Sequence, residues 1–422
     1  MADWRVPGMA IAIVQGDDVI YKKAFGVKEI GKPDPVTTDT VFQIGSASKA
    51  FTAALIAYMV DEGKARWNDR VVSHIKDFRL YDEWVTGQFT VTDLMAQRSG
   101  MVEHALDSLI MLGYDPGRVV SSLRYVKPAT SFRSSYAYQN NLWLVAARIV
   151  EKLTGKGWAE NVRDLIFRRL GMSSSSCDKR SFVTAADAAT LHHIVDGKII
   201  VLPMGWKYMD WVYDYGPAGG INSNLDDMAK WVRMHLSDGL FDGRRIINEE
   251  SVRYMRYPQT VISGSSDPAQ YYCQGWVHRE ADPYPVIWHN GGTSGSKTIV
   301  AFVPQAKVGI VVLSNLNETK LPESLAFRFF DMYFGNPERD WSKEAFDKDA
   351  KAAEKAASEE PVRPKLPLHA RPLYKYCGEY ANDIFGKVRV SKKGEEIALV
   401  IGPKDTAIGL SQIGRASCRE RV

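Results

Sequence analysis

Strand-like patterns lie at the two ends of the first 335 residues, and helical patterns fill the stretch between them. Residues 9–27 predict a β-hairpin, and residues 285–315 supply further strands, one of them from His289 to Pro304. Residues 320–334 predict an amphipathic closing helix, whereas residues from about 65 to 245 are mostly helical. Because the two strand-forming ends can bury their apolar faces only together, we predict an α/β (α+β) fold. An antiparallel β-sheet would be flanked by helices, with a mostly helical subdomain inserted and a cleft between the two.

The composition argues against several classes of function. The chain is 45% hydrophobic and 25% charged, and no apolar run is long enough to span a bilayer. Its basic residues are scattered, which argues against a nucleic-acid surface, and its four cysteines are too widely spaced for a zinc or disulfide pattern. There is no P-loop, no dinucleotide fingerprint and no His-Glu-x-x-His motif. His192 and His193 with Asp187 could suggest a metal site, but adjacent side chains point in different directions, so we expect no metal and no cofactor.

The composition changes beyond residue 335. Residues 336–372 are charged, Ala-rich and Pro-rich, which predicts a solvated helix and then a linker. Residues 373–411 alternate like short strands around turns and predict part of a small β domain. Residues 412–422 look like the translation of a sequencing adapter, so we expect a non-native tail. We also expect the first residues to be incomplete, which leaves the cellular location open.

A serine and a lysine three residues apart, Ser46 and Lys49, stand at the predicted start of an Ala-rich apolar helix. This spacing places both side chains on one helix face, where a neutral amine could activate the hydroxyl as a nucleophile. Free N–H groups at a helix start would also favour developing negative charge. The alternative is that Ser46 only caps the helix. The spacing alone is weak, because it occurs again at Ser176 and Lys179, which we interpret as chance.

Two further motifs follow Ser46-Ala-Ser-Lys49 in order: Tyr138-Gln-Asn140 and His289-Asn-Gly291. Together the three motifs resemble those of the penicillin-recognising serine hydrolases. This superfamily includes class C β-lactamases, low-molecular-weight penicillin-binding proteins, D-aminopeptidases and the β-lactamase-like family VIII carboxylesterases. The resemblance extends from about Val6 to about Phe334. The segment after residue 372 is similar to a small β-barrel-like domain that often follows this hydrolase domain.

The resemblance implies a role for each motif residue. The first serine would be acylated, its lysine and the motif tyrosine would move protons, and two backbone N–H groups would form the oxyanion hole. The implied catalytic residues are Ser46, Lys49 and Tyr138, the oxyanion donors are Ser46 and Gly292, and the substrate-binding residues are Asn140, His289 and Gly291. On the residues alone, Tyr138 could equally be an aromatic core residue, because its neighbours are apolar.

His289 departs from the pattern of many β-lactamases, which have a lysine of a Lys-Thr-Gly motif at this position. Imidazole is a weaker and often neutral group, so efficient β-lactam hydrolysis is not expected, although Lys297 could partly compensate. We therefore predict a serine hydrolase that forms an acyl-enzyme, a carboxylesterase acting on small esters. The alternatives are a D-amino-acid peptidase or weak β-lactamase, or a catalytically retired binding module. The expected partner is a small ester, amide or lactam, and the oligomeric state is left open.

An aromatic run, Trp206 to Tyr215, precedes the glycine-rich segment Gly216–Gly220. These side chains could line the acyl side of the cleft or could pack in the core. The sequence leaves both interpretations open.

Overall fold

The computed structural model describes residues 1–206, 208–263, 268–358, 372–394, 396–413 and 416–419. In chain order its strands are β1 Gly8–Gln15, β2 Asp18–Gly26, β3 Phe42–Gln43, β4 Leu191–Val195, β5 Lys198–Leu202, β6 Asn222–Ser223, β7 Leu240–Phe241, β8 Arg244–Arg245, β9 Thr260–Ser263, β10 Gln270–Tyr272, β11 Val277–Arg279, β12 Val286–Gly292, β13 Lys297–Val303, β14 Val308–Ser314, β15 Gly378–Asn382, β16 Gly386–Lys393, β17 Glu396–Ile401, β18 Thr406–Ile413 and β19 Ala416–Arg419.

The α-helices lie mostly between β3 and β9. They are α1 Ser48–Asp61, α2 Val71–His74, α3 Glu83–Gln88, α4 Val91–Met95, α5 Asp107–Met111, α6 Pro116–Ser122, α7 Asn141–Thr154, α8 Trp158–Val162, α9 Arg168–Leu170, α10 Lys179–Val183, α11 Asp210–Asp214, α12 Gly216–Gly219, α13 Leu225–Leu236, α14 Glu249–Met255, α15 Leu321–Phe334 and α16 Trp341–Ser358. None of these helices is long and apolar enough to cross a membrane.

The main sheet joins the two ends of the hydrolase region. Its eight strands follow the order β2-β1-β14-β13-β12-β11-β10-β9, and every neighbouring pair is antiparallel. The N-terminal hairpin forms one edge of this sheet, where β1 pairs with β14 from Met9 opposite Ser314 to Gln15 opposite Val308. The predicted antiparallel sheet with flanking helices is therefore confirmed.

Helices cover both faces of the central strands. On one face Val300 and Phe302 pack into the core that contains α1, and on the other Ile299 and Ala301 pack against α15. All seven residues of β14 are buried, because both of its faces are covered in this way. Because it is packed on both faces, the sheet can fix the position of a site at the end of β12 and β13.

Helix α1 is buried on nearly all sides and contacts α7, α12 and α14. Its alanines allow neighbouring helices to approach closely, and a helix that is apolar all round belongs in a protein interior. The helix begins at Ser48, two residues later than predicted, and Ser46 lies just before it in the 3₁₀ turn Gly45–Ala47. This turn holds Ser46 at the rim of the core.

The third motif lies at the end of a strand and not, as predicted, at the beginning of one. His289, Asn290 and Gly291 belong to β12, and the chain turns before β13 begins at Lys297. The prediction of one strand from His289 to Pro304 is wrong because the Gly-Thr-Ser-Gly segment that follows the motif is a turn signal.

The region after the main sheet contains α16 and a second antiparallel sheet in the order β15-β16-β17-β18-β19. The predicted linker lies mostly outside the described residues. Two loops of the second sheet contact the turn between α5 and α6. Tyr114 Oη donates to Phe385 O at 2.5 Å, Arg118 Nη2 donates to Asp383 O at 2.6 Å, and Lys404 N donates to Leu112 O at 3.3 Å.

Candidate active site

A cavity of about 270 Å³ lies between the end of β12 and the helices inserted between β3 and β9. The 3₁₀ turn before α1, the loop before α7 and helices α5, α11 and α12 contribute to its walls. Its lining residues are Ser46, His104, Asp107, Met111, Tyr138, Asn140, Trp211, Val212, Tyr215, Ala218, Gly219, Gly292 and Thr293.

Glycines allow the end of β12 to lie against the turn that carries Ser46. Gly45 has a φ of +51°, and a Cβ atom on it would lie 2.6 Å from Gly292 N. A Cβ atom on Gly291 would lie 1.8 Å from Ile44 O. The backbone of Gly292 and the side chain of Ser46 therefore reach the same cavity, as an oxyanion hole at this point would need.

Lys49 lies beside Ser46 and is completely buried. Its Nζ donates to Ser46 Oγ at 3.1 Å, to Asn140 Oδ1 at 2.7 Å and to Ala218 O at 2.9 Å. Burial lowers the pKa of this amine to about 7, although the nearby charge of Asp107 opposes the shift. A substantial fraction of Lys49 is therefore unprotonated at neutral pH and able to accept a proton.

Tyr138 forms a second side of this cluster. The Lys49 Nζ lies 4.8 Å from the centroid of its ring, and the side chain of Ser46 is close enough to lower the pKa of the phenol. Burial raises the pKa of the phenol well above its ordinary value, an effect larger than the lowering by Ser46. Tyr138 is therefore protonated at neutral pH, and it can give or relay a proton but cannot serve as a standing phenolate base.

His289 faces Tyr272 from β12. Its Nε2 lies 3.0 Å from Tyr272 Oη, and its Nδ1 lies 2.6 Å from Asn290 O. Burial, together with the charge of Lys49, lowers the pKa of the imidazole to about 3, so it is neutral at pH 7. The expectation that Lys297 could compensate is wrong: its Nζ lies 3.3 Å from Glu323 Oε1, in an ion pair on the α15 side of the sheet.

Sequence reasoning missed the carboxylate of Asp107. This group accepts hydrogen bonds from Asn140 Nδ2 at 2.6 Å and Tyr215 Oη at 3.0 Å, and it lies 2.8 Å from His104 Nδ1. It belongs to no motif, and its partners come from segments 33 and 108 residues away. Only the tertiary structure brings these groups together.

The aromatic run divides between the two roles that the sequence left open. Trp211 and Tyr215 line the cavity, and Trp211 Nε1 donates to Ser294 Oγ at 3.0 Å across its mouth. Tyr213 instead packs inside, where its hydroxyl is hydrogen-bonded to Gln43 and Asn222.

The residues of the two other candidate sites, the second Ser-x-x-Lys spacing and the histidine pair, do not come together. Lys179 is ion-paired with Asp210 at 2.9 Å, and Ser176 Oγ accepts from Asn222 Nδ2, so the second Ser-x-x-Lys spacing forms no pair of its own. His192 Nδ1 lies 2.9 Å from Asn315 O, whereas His193 Nδ1 lies 2.6 Å from Glu318 Oε1. Within the described ranges, no three His, Cys, Asp or Glu side chains are grouped to hold a metal ion.

A helix-flanked antiparallel sheet with this cleft at the end of β12 defines the class of protein, the β-lactamase/transpeptidase fold. The beta-lactamase family model matches residues 1–329, and the chain belongs to the beta-lactamase family, a family of serine hydrolases. Penicillin-binding protein 4 of Amycolatopsis lactamdurans is 30% identical over 320 residues, which cover 74% of this chain and 81% of that protein. The unguisins hydrolase ungD' of Aspergillus campestris is 28% identical over an alignment of 439 residues, covering 96% of this chain and 78% of that protein.

Two solved structures share the fold. The octameric penicillin-binding protein homologue from Pyrococcus abyssi superposes with a TM-score of 0.72 at 22% identity, covering 99% of this chain and 92% of that chain. The D-stereospecific amidohydrolase from Streptomyces sp. gives a TM-score of 0.62 at 18% identity, covering 74% of this chain and 91% of that one.

Proposed function

We propose that the protein hydrolyses small esters through an acyl-enzyme formed on Ser46. One observation carries this proposal: Ser46 Oγ lies 3.1 Å from a buried amine, Lys49 Nζ, whose pKa is lowered to about 7. An amine of ordinary pKa would be almost entirely protonated at neutral pH and would be a poor base. The intact set of Ser46, Lys49 and Tyr138 argues against a retired binding module.

Acylation follows from this geometry. Neutral Lys49 takes the proton of Ser46 as Oγ attacks the substrate carbonyl, and the N–H groups of Ser46 and Gly292 receive the oxyanion. The tetrahedral intermediate then collapses and the bond to the leaving alkoxide breaks. Tyr138, which lines the cavity with Ser46, gives its proton to the alkoxide and regains one from protonated Lys49.

Deacylation repeats these steps with water as the nucleophile. Water loses a proton to Lys49, directly or through Tyr138, as it attacks the acyl carbon. Collapse of the second intermediate releases the acid and restores the Ser46 hydroxyl with that proton, so that the enzyme returns to its starting state.

Covalent labelling tests the proposal. A fluorophosphonate probe is expected to add one phosphonyl group to Ser46, detected by intact mass and peptide mapping, and Ser46→Ala is expected to remove that label. Ser176→Ala is the matched control, because Ser176 stands at the other Ser-x-x-Lys spacing and should leave labelling unchanged. A label that persists in Ser46→Ala would refute the assignment of the nucleophile.

The charge of the cavity supports esters over β-lactams. No described residue that lines the cavity is Lys or Arg, and His289 is neutral at the position of the expected lysine. The carboxylate of a β-lactam would thus lack a charge-assisted hydrogen bond, a loss of roughly ten- to a hundred-fold in rate.

We therefore expect kcat/KM for p-nitrophenyl butyrate to exceed that for nitrocefin by at least tenfold on the same preparation. His289→Lys should narrow the gap by raising the nitrocefin value. Nitrocefin turnover tenfold above ester turnover would exclude the esterase assignment.

An amidase acting on D-amino-acid amides is the second candidate. The observation that favours it is the carboxylate of Asp107, which lines the cavity with 19% of its side chain exposed and would attract the ammonium group of such a substrate. Comparing D-alanine p-nitroanilide with its L-isomer and its N-acetyl derivative decides this point. Preference for the free amine of the D-isomer over both would favour the amidase.

A further inference from the structure

We propose that Asp107 is a positioning residue that fixes the orientation of the Asn140 amide and thereby directs the lone pair of Lys49 at Ser46. The inference rests on the proposed function, because it assigns the means by which the base of that reaction is aimed. It concerns a residue that lies outside all three sequence motifs.

The first step is the contact between Asp107 and Asn140. Asn140 Nδ2 donates to Asp107 Oδ2 at 2.6 Å, while Asn140 Oδ1 accepts from Lys49 Nζ at 2.7 Å. An ionised carboxylate can only accept hydrogen bonds, whereas an amide has one accepting end and one donating end. Asp107 therefore requires the NH₂ end of Asn140, and the oxygen end must face Lys49.

The second step is the geometry of the amine. Neutral Lys49 has two N–H donors and one lone pair, and its three neighbours are Asn140 Oδ1, Ala218 O at 2.9 Å and Ser46 Oγ at 3.1 Å. The first two are carbonyl oxygens that can only accept, so they take the two N–H groups. The lone pair is left for Ser46, the one neighbour of the three that has a proton to donate.

A reversed Asn140 amide would disrupt this pattern of hydrogen bonds around Lys49. Its NH₂ group would then face Lys49 and would compete for the lone pair of the neutral amine. An N–H group of Lys49 would turn toward Ser46 Oγ instead, and the hydroxyl would lose its base. Ser46 would thus keep its place in the cavity and lose its reactivity.

Asp107 is itself held in place. Tyr215 Oη donates to its Oδ1 at 3.0 Å, and His104 Nδ1 lies 2.8 Å from its Oδ2. The titratable groups that face Lys49 are His104 and Asp107 from the α5 region, Tyr138 from the loop before α7 and His289 from β12. The charge of Asp107 raises the pKa of Lys49.

The test is Asp107→Asn, measured with p-nitrophenyl butyrate and with the fluorophosphonate probe. Neither reagent has an ammonium group, so a direct contact between substrate and Asp107 does not enter. We expect kcat and the labelling rate at Ser46 each to fall about ten- to a hundred-fold, with KM nearly unchanged, because one charge-assisted bond sets the amide orientation. The acid limb of the pH profile should move to lower pH, since the charge that raises the pKa of Lys49 is lost.

A double-mutant cycle separates positioning from a general structural role. Once Asn140→Ala has removed the amide, adding Asp107→Asn should cost no further activity. If the two losses add instead, or if Asp107→Asn keeps the wild-type rate on the pH plateau, the inference is overturned. Asp107→Ser carries the same expectations should the Asn variant fail to fold.

Asp115→Asn is the matched control. Asp115 caps α6, accepting from Arg118 N at 3.0 Å, and it does not line the cavity, so this variant should keep wild-type rates. Labelling of the wild-type protein separates a failure of the proposed function from a failure of the role assigned to Asp107. Absence of label on wild-type Ser46 would defeat the proposed function, whereas equal labelling of wild type and Asp107→Asn would defeat only the role of Asp107.

Discussion

Replacing Lys49 with alanine is expected to lower kcat for p-nitrophenyl butyrate by about 10²–10⁴-fold, the range that loss of a proton-transfer group typically costs. Ser46 would keep its position in the turn Gly45–Ala47 but would have no amine within reach to take its proton. Removal of a fully buried amine should not unfold the protein. A thermal melt of the variant checks this point.

The pH dependence of kcat is a second test of Lys49 as the base. Because the pKa of Lys49 is lowered to about 7 and the neutral amine is the active form, wild-type kcat should rise with pH through this value. At pH 6 it should be about a tenth of its plateau. Lys49→Ala should lose this limb, while Lys179→Ala, at the other Ser-x-x-Lys spacing, should keep it. A variant at Lys49 with near-wild-type turnover would mean that the base is a different group.

Substituting Gly291 with alanine should be almost as damaging, although this residue has no side chain to contribute. The added Cβ would lie 1.8 Å from Ile44 O, so either β12 or the turn that carries Ser46 must move. Such a movement would displace the N–H group of Gly292 from the cavity. Loss of one oxyanion donor typically costs about 10²–10³-fold in kcat, and we expect a loss of this size.

Gly87→Ala is the control for this substitution. Gly87 lies in α3, where an added Cβ would meet no atom within 4 Å, and alanine is the better helix former. It should keep wild-type activity and melting temperature. If Gly291→Ala were equally harmless, the close approach of β12 to Ser46 would not matter for catalysis.

The sequence was most informative where a local pattern determines the structure. Alternating apolar residues predicted the N-terminal hairpin, and the chain order of strands and helices predicted the antiparallel sheet. The beginning of α1 and the turn after Gly292 were placed less well. In both places glycine and serine permit more than one backbone path, and contacts between distant segments select among them.

The residues around the cavity could not be predicted from local sequence patterns. Asp107 and Tyr272 have no motif, because their partners approach only after the whole chain has folded. The face of the sheet on which Lys297 lies depends on its place in the strand register, because successive side chains of a strand point to opposite faces. His289 pairs with Val300 and Gly292 with Lys297, so the lysine and the imidazole point to opposite faces of the sheet. The sequence places these residues close together, and only the register shows that they cannot cooperate.

The hydrogen bonds between the second sheet and the α5–α6 region use main-chain atoms on the side of the second sheet. Tyr114 and Arg118 donate to the carbonyl oxygens of Phe385 and Asp383, and the N–H of Lys404 donates to another carbonyl, that of Leu112. Carbonyl and N–H groups are present whatever the side chain. Substitutions in these two loops can therefore keep these hydrogen bonds as long as the loop shape is kept. Side chains still matter at three positions: Ile384 and Phe385 pack against the hydrolase core, and a Cβ atom on Gly402 would lie 2.7 Å from Leu112 O. Over evolutionary time, the junction should constrain Tyr114 and Arg118 on the hydrolase side and Gly402 and the apolar pair Ile384 and Phe385 on the other, while leaving the rest of the second sheet free to diversify.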